Sequence, residues 1–364
     1  MKKKILFVTN HFGYSNGVAM ALRNIIANID QTKYDISLLA IYLYDKEFAA
    51  PIADKIHVVP GYGFYFRGFD KFVNMLSPSY LYRRFVKDDY DLEVSFQYGI
   101  PTKCISTSNR RKVCWIHTYD TGLTLRKYYE KYDKVVTVAK IGCEKLIADG
   151  FPAEKSDYCY NIIDESVIEQ KMREECPLPK NGKTVVVTVA RLDPDKAHMR
   201  YFECINSVRD RLGNFEFWIV GGGSEEEKLR KYVDDNRLND IIKMTGAQTN
   251  PFPYMANADL YYCCSAREGF STTCQEAAIM GLPVVSVDVD GAKELVELAD
   301  CGMVVANSEQ GITESLIGMA ENYDVVGWKK TAMTSRSLFL NSQELKKSKK
   351  LSIQCSYLIR GMNK

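Results

Sequence analysis

Short runs of apolar, β-branched and aromatic residues recur along the chain, separated by stretches in which apolar positions return every three or four residues. In the first half the runs predict strands at 4–9, 34–43, 55–59, 92–96, 113–117 and 134–138. Helical periodicity falls at 18–29 and around 69–86. The pattern restarts in the second half, with strands at 184–190, 215–220, 241–244, 259–263 and 283–287 and helices at 196–212 and 225–233. These strands are apolar throughout rather than alternating, so both faces of each sheet must be covered, as in parallel sheets with helices on either side. Two such sets in series predict an α/β chain of two doubly wound, Rossmann-like domains. Pro177, Pro179, Asn181 and Gly182 mark a linker within 161–183. The domains are therefore expected at 1–161 and 162–340. Residues 341–364 are expected to form a C-terminal helix that packs back towards the N-terminal domain. Ligands of open parallel sheets bind beyond the carboxyl ends of the strands, here expected in a cleft across which the two domains face each other.

Composition narrows the function. The 364 residues include 48 basic and 46 acidic side chains, and 46% are hydrophobic. That is an ordinary globular composition, which excludes wholesale disorder. The net charge of +2 argues against a general nucleic-acid binder. No run approaches the roughly 18 consecutive apolar residues of a spanning helix. The N-terminal apolar run, Ile5 to Val8, is too short for a secretion signal, which needs roughly 7–15. The protein is therefore expected in the cytosol or at the inner face of the cell membrane. The 11 cysteines form no Cys-x-x-Cys pair and no zinc-type cluster, so reduced structural thiols and no metal site are expected.

The candidate chemistry lies just after predicted strands. Arg191 and Lys196 leave the strand at 184–190 with Asp193 and Asp195 between them. Two cations at a strand end suit an anion, above all a diphosphate gripped by one fork and one point charge. A solvated loop with surface ion pairs fits the same spacing. After the strand at 259–263 comes Glu268-Gly269-Phe270-Ser271-Thr272-Thr273, then a helix ending at Gly281-Leu282-Pro283. Free N–H groups near Ser271–Thr273 make an anion site, and Glu268 and Glu276 stand on either side of it. A nucleotide-sugar has that layout, with hydroxyls flanking a diphosphate. Glu276 also fits a capping box with Thr273, as Gln275 does with Thr272, but that role does not explain Glu268.

The spacing Glu268-x7-Glu276, followed by Ala-x-x-x-Gly-x-Pro-Val-Val, resembles the signature of retaining glycosyltransferase family 4, the glycosyl transferases group 1 with the GT-B fold. Arg191…Lys196 is similar to that family's Gly-Arg-Leu-x-x-x-Lys-Gly loop, with Ala190 and Ala197 in place of the two glycines. Met244-Thr245-Gly246 and Tyr254-Met255-Ala256-Asn257-Ala258-Asp259 match the run before the Glu motif. The resemblance implies roles. Glu268 contacts donor-sugar hydroxyls, the backbone of Gly269, Phe270, Ser271 and Thr272 holds sugar and phosphates, Glu276 binds the ribose, and Arg191 and Lys196 neutralise the leaving diphosphate. Gly221-Gly222-Gly223 lacks the third glycine of a dinucleotide fingerprint and precedes Glu225–Glu227, so no dinucleotide cofactor, nor any other, is expected.

In the first half, Gly13 and Gly17 flank the loop after the first strand. The loop resembles the family's glycine-rich first loop, which would put Gly17 at the donor and Asn16 on the acceptor side, although a simple turn fits as well. His117 ends the strand at 113–117 and is similar to the family's Trp-x-His. It would hydrogen-bond the donor sugar or steady the reacting groups, unless it is a core histidine. Asp120 is a further acceptor-side candidate. His11 also follows a strand, whereas His57 is expected to be structural, inside an apolar strand. Residues 101–140 carry nine basic and three acidic side chains, and 341–364 carry six and one. Residues 61–87 interleave aromatic residues with Arg67, Lys71, Arg83, Arg84 and Lys87. Such a surface suits an anionic membrane or a lipid-diphosphate acceptor, and the plainer alternative is core aromatics beneath a solvated basic face.

The resulting expectation is a metal-independent retaining hexosyltransferase. It would move a sugar from a nucleotide-diphosphate sugar, UDP by default, to a glycan or lipid-linked acceptor in cell-surface polysaccharide biosynthesis. A sugar-nucleotide epimerase and a catalytically silent sugar-nucleotide-binding subunit are the alternatives.

Overall fold

The computed structural model describes residues 2–13, 17–119, 126–322, 324, 327–329 and 331–333. The chain divides into two compact units that part between Ile162 and Ile163. The first unit holds a seven-stranded sheet in the order β3-β2-β1-β4-β5-β6-β7. Its strands are β1 Lys3–Phe12, β2 Tyr34–Tyr44, β3 Ile56–Val59, β4 Leu92–Ser95, β5 Lys112–Ile116, β6 Lys134–Thr137 and β7 Ser156–Tyr158. The second unit holds a six-stranded sheet in the order β10-β9-β8-β11-β12-β13. These are β8 Thr184–Val189, β9 Phe215–Val220, β10 Ile242–Gly246, β11 Leu260–Cys263, β12 Val284–Val287 and β13 Gly302–Val305. Every pairing in both sheets is parallel. Each unit is thus a Rossmann-like α/β domain, as the unbroken apolar runs predict.

Burial explains those runs. Every residue of β4, β9, β11 and β12 is buried, because helices cover both faces. The edge strands β3, β7, β10 and β13 are partly exposed. Edge position corrects the reading of His57: on β3 its side chain is 74% exposed, and Nε2 lies 2.9 Å from Asp35 Oδ1. Ten described cysteines are free thiols, nine of them buried, which fits their reading as small core hydrophobes.

Other differences have local causes. The helical stretch around 69–86 is two helices, Phe69–Met75 and Pro78–Phe85. The break comes where Ser77 turns extended to cap Tyr80 N–H and Pro78 takes the first helical position. The expected linker contains a helix, Glu165–Lys171, capped by Asp164, and it belongs to the second unit. The helix expected at 196–212 begins at His198, because Lys196 lies in a 3₁₀ turn and Ala197 is left-handed. Strands β7 and β13 are too short, and β13 too exposed, to stand out as apolar runs. Residues 341–364, Asn16 and Asp120 lie outside the described residues. No helix among the described residues is long and apolar enough to cross a membrane.

Each sheet reverses its strand order once, between β1 and β4 in the first unit and between β8 and β11 in the second. At such switch points the connections diverge to opposite faces and leave a crevice at the carboxyl ends. In the second unit β8 pairs with β9 along all of Thr184–Val189, but its ladder with β11 stops at Val187. Beyond it, side chains span the gap: Thr188 Oγ1 donates to Tyr262 O, and Tyr261 Oη donates to Val189 O.

Candidate functional site

The loops leaving β8 and β11 meet at this switch point. From β8 the chain runs through Arg191 and Leu192 to the 3₁₀ turn Pro194–Lys196. This loop is clamped by the one after β9: Leu192 N–H donates to Gly222 O, Glu225 N–H to Leu192 O, and Ser224 N–H and Oγ to Asp193 Oδ1. A Cβ on Gly221 would fall 1.9 Å from Ala190 O, and one on Gly223 would fall 2.5 Å from Leu192 O. Gly221 and Gly223 therefore serve backbone-to-backbone packing of two loops.

Lys196 reaches across the crevice to Glu268. Its Nζ lies 2.8 Å from Glu268 Oε1, and both side chains are 16% exposed. Ser265 Oγ donates to the same oxygen at 2.7 Å. Burial works to depress the Lys196 ammonium, but the Glu268 carboxylate and its hydrogen bond outweigh that and raise the pKa above the ordinary lysine value. One Nζ proton meets Glu268, and Asp195 stands farther off at 3.8 Å, so the ammonium keeps donors for an incoming anion. Arg191 is half exposed and pairs with Asp193, and its second nitrogen is 3.7 Å from Asp195. The loop thus carries the surface ion pairs that were one reading of its spacing, and it also places Lys196 beside Glu268.

The helix Thr272–Met280 starts at the same place. Ser271 is its N-cap, and Ser271 Oγ accepts from Cys274 N–H. The capping box expected for Glu276 is therefore absent, and Gln275 bonds the Ser271 carbonyl instead. Thr272 and Thr273 are the first two helical residues, whose N–H groups have no acceptor within the helix and carry the positive end of its dipole. Gly281 closes the helix at φ 74, as the Gly-Leu-Pro signal predicts. Phe270 is buried, and a Cβ on Gly291 would fall 2.3 Å from its ring.

Glu276 sits in the second turn of this helix. No described residue donates a hydrogen bond to its carboxylate, and burial pushes the group up to about 8, against a small opposing pull from Lys171. A carboxyl group this desolvated and unmatched is open to polar partners from a ligand.

Several positioning residues carry no motif. Arg200 Nη2 donates to Cys264 O at 3.1 Å and to Asn307 Oδ1 at 2.7 Å. Asn307 Nδ2 donates on to Ala266 O at 3.3 Å. Ala266 N–H donates to Asp195 O and Cys264 Sγ to Lys196 O. The Glu268 loop is thereby tied down at successive residues. Arg200 and Asn307 are 107 positions apart, and nothing local in the sequence signals their meeting.

The first unit places His117 beside the end of β4. Its Nε2 lies 3.1 Å from Phe96 O, and its ring meets Phe96 edge-on. Desolvation lowers the imidazole to about 4, against the pull of the Phe96 carbonyl, so His117 is neutral at physiological pH. A carbonyl can only accept, so Nε2 carries the proton and Nδ1 presents a lone pair. Gly17 opens the first helix with nothing near a would-be Cβ, and Gly13 has no positive φ. His11 packs against Tyr42 and Tyr65, and burial lowers its pKa.

Residues 183–322 match the family described as Glycosyl transferases group 1. The chain is 28% identical over 179 residues to the amylovoran biosynthesis glycosyltransferase AmsK of Erwinia amylovora, covering 47% of this chain and 43% of that protein. It is 27% identical over 197 residues to the N-acetylgalactosamine-N,N'-diacetylbacillosaminyl-diphospho-undecaprenol 4-alpha-N-acetylgalactosaminyltransferase of Campylobacter jejuni, covering 53% and 52%. The matches thus span about half the length of these curated relatives. Among solved structures, sucrose-phosphate synthase of Thermosynechococcus elongatus aligns with a TM-score of 0.75 at 14% identity, over 99% of both chains. Anabaena HepE, in complex with UDP and glucose, aligns at 0.71 and 18%, over 98% of this chain and 100% of that one. The fold is that of GT-B glycosyltransferase structures, and the domain at 183–322 is similar to the glycosyl transferases group 1 family.

Proposed function

We propose that the protein is a retaining glycosyltransferase that moves a hexose-type sugar from a nucleotide-diphosphate sugar, with UDP as the default nucleotide, to a glycan or lipid-linked acceptor. The reading rests on one arrangement: the Lys196–Glu268 pair and the start of the helix Thr272–Met280 converge at the carboxyl ends of β8 and β11. When the bond from the sugar's anomeric carbon to the phosphate oxygen breaks, negative charge grows on the diphosphate. Lys196, Arg191 and the Thr272 and Thr273 N–H groups stabilise it, as fixed donors at a preorganised site do. Glu268 orients the ammonium and accepts from sugar hydroxyls, and Glu276 accepts from the ribose. The acceptor oxygen bonds the anomeric carbon on the face the phosphate leaves, and its proton passes to the departing phosphate oxygen. His117, neutral, would accept a hydroxyl hydrogen bond at Nδ1. The similarity to enzymes of amylovoran and diphospho-undecaprenol glycan synthesis supports a role in cell-surface polysaccharide or glycolipid assembly, and the proposal sets that role on the cytoplasmic side, against an anionic membrane.

The test is a panel of nucleotide-sugars with lipid extracts and glycans as acceptors, run on the wild type, Glu268→Gln and Lys196→Ala. Transfer with retained anomeric configuration, lost by at least a hundredfold in both variants, is the expected result. Unchanged rates in both variants refute the site. Interconversion of sugar nucleotides without acceptor refutes transfer as the function.

A further inference from the structure

The first unit carries an aromatic face that its own core does not use. Phe69 is buried, and around it Phe64, Phe66 and Phe72 fan out with ring centroids 4.9, 5.0 and 6.3 Å away. Those three rings are 49%, 59% and 59% exposed, and Met75 is 83% exposed. Tyr62 joins this group to the next helix, its ring 5.0 Å from Phe69 and 5.1 Å from Phe85. That helix, Pro78–Phe85, adds exposed Tyr80 with Arg83 and Arg84 one turn on. Soluble monomers rarely display so continuous an apolar patch unless something covers it.

Charge selects the occupant. Arg67, Lys71, Arg83, Arg84 and Lys87 are all exposed on this segment. None forms an ion pair among the described residues: Lys87 bonds the Arg83 carbonyl and Arg84 lies over the Phe85 ring. Asp70 is the one acidic residue within 61–87, and Tyr65 Oη donates to it. Phenyl rings and a methionine on a segment with five exposed cations match the interface of an anionic bilayer, where apolar side chains enter the acyl boundary and cations meet lipid phosphates.

We propose that the face formed by Phe64, Phe66, Phe72, Met75, Arg83 and Arg84 inserts into anionic membranes. The inference deepens the proposed use of lipid-linked acceptors, but its test is independent of sugar transfer. The full chain is sedimented with phosphatidylcholine vesicles with and without phosphatidylglycerol, at low and high salt. The exposed positions in Phe66→Ser/Phe72→Ser and Arg83→Gln/Arg84→Gln leave the fold intact, as circular dichroism would verify. Wild type is expected to bind the anionic vesicles and to release with salt. The arginine pair should weaken binding about twenty-fivefold, at about fivefold per cation, and the phenylalanine pair at least about tenfold. The Lys196→Ala chain should bind like wild type. No binding to anionic vesicles, equal binding to neutral ones, or wild-type binding by both double variants overturns the proposal. So does a concentration-dependent dimer that Phe66→Ser/Phe72→Ser dissociates, since a second copy would then be the occupant. Loss of transfer by a chain that still binds vesicles counts against the enzymatic reading alone.

Discussion

Glu276→Gln tests whether the fold holds this buried carboxyl group at a cost. In the folded chain burial raises the Glu276 carboxyl to about 8, from 4.5 when unburied. An acid with a raised pKa binds its proton more tightly when folded. Its proton therefore favours folding most below pH 4.5, and stability is lost as pH climbs towards 8. Each pKa unit is about 1.4 kcal/mol, so the gap corresponds to ~5 kcal/mol once the group is ionised, an upper bound because part of the residue stays hydrated. The neutral histidines His117 and His198, both lowered to about 4 by desolvation, act oppositely below pH 6.5, which leaves pH 6.5–8 as the clean window. Over that window linkage predicts a loss of about 1.5 kcal/mol in wild type relative to Glu276→Gln. In urea unfolding at pH 6.5, 7.2 and 8, the variant should gain on wild type at each step. Saturating UDP should narrow the gap, since ribose hydroxyls would satisfy the carboxylate. A stability difference independent of pH refutes the reasoning, because it would mean that Glu276 is solvated like a surface glutamate.

Three further outcomes follow from the same loops. Ala197 is held at φ 52 where the resembled motif has glycine; relief of left-handed strain, less glycine's added chain entropy, makes Ala197→Gly more stable by about 0.5–1 kcal/mol, and a lower melting temperature refutes this. Lys196→Met leaves Glu268 with Ser265 alone and should destabilise by about 2 kcal/mol; pairing it with Glu268→Gln should recover part of that in a double-mutant cycle, and strict additivity refutes the coupling. Arg200→Met frees the carbonyl of Cys264 and unseats Asn307; amide exchange at 265–269 should quicken about tenfold while β9 keeps its protection, and unchanged exchange denies Arg200 its positioning role.

The sequence by itself determined the two parallel sheets, because strands buried on both faces must be apolar at every position, and that cannot be mistaken for a half-exposed strand. It also determined where Arg191, Lys196, Glu268 and Glu276 fall relative to the strand ends, since strand, loop and helix start are local. Local patterning stopped at anything decided by partners far along the chain. The linker's helix Glu165–Lys171 is short, and only the tertiary structure shows which unit it joins. Whether Arg191 and Lys196 were free cations or ion pairs depended on carboxylates up to 72 positions away. Ser271, rather than Thr272 or Thr273, caps its helix because the chain turns there, and that turn leaves Glu276 unmatched and desolvated. His57 is exposed because its strand lies at a sheet edge, and edge or centre is a property of strand order. Residue type and spacing announce the chemistry a chain carries; only packing fixes which charges are paired, which protons are held and which faces remain uncovered, because those depend on dielectric and distance between residues remote in sequence.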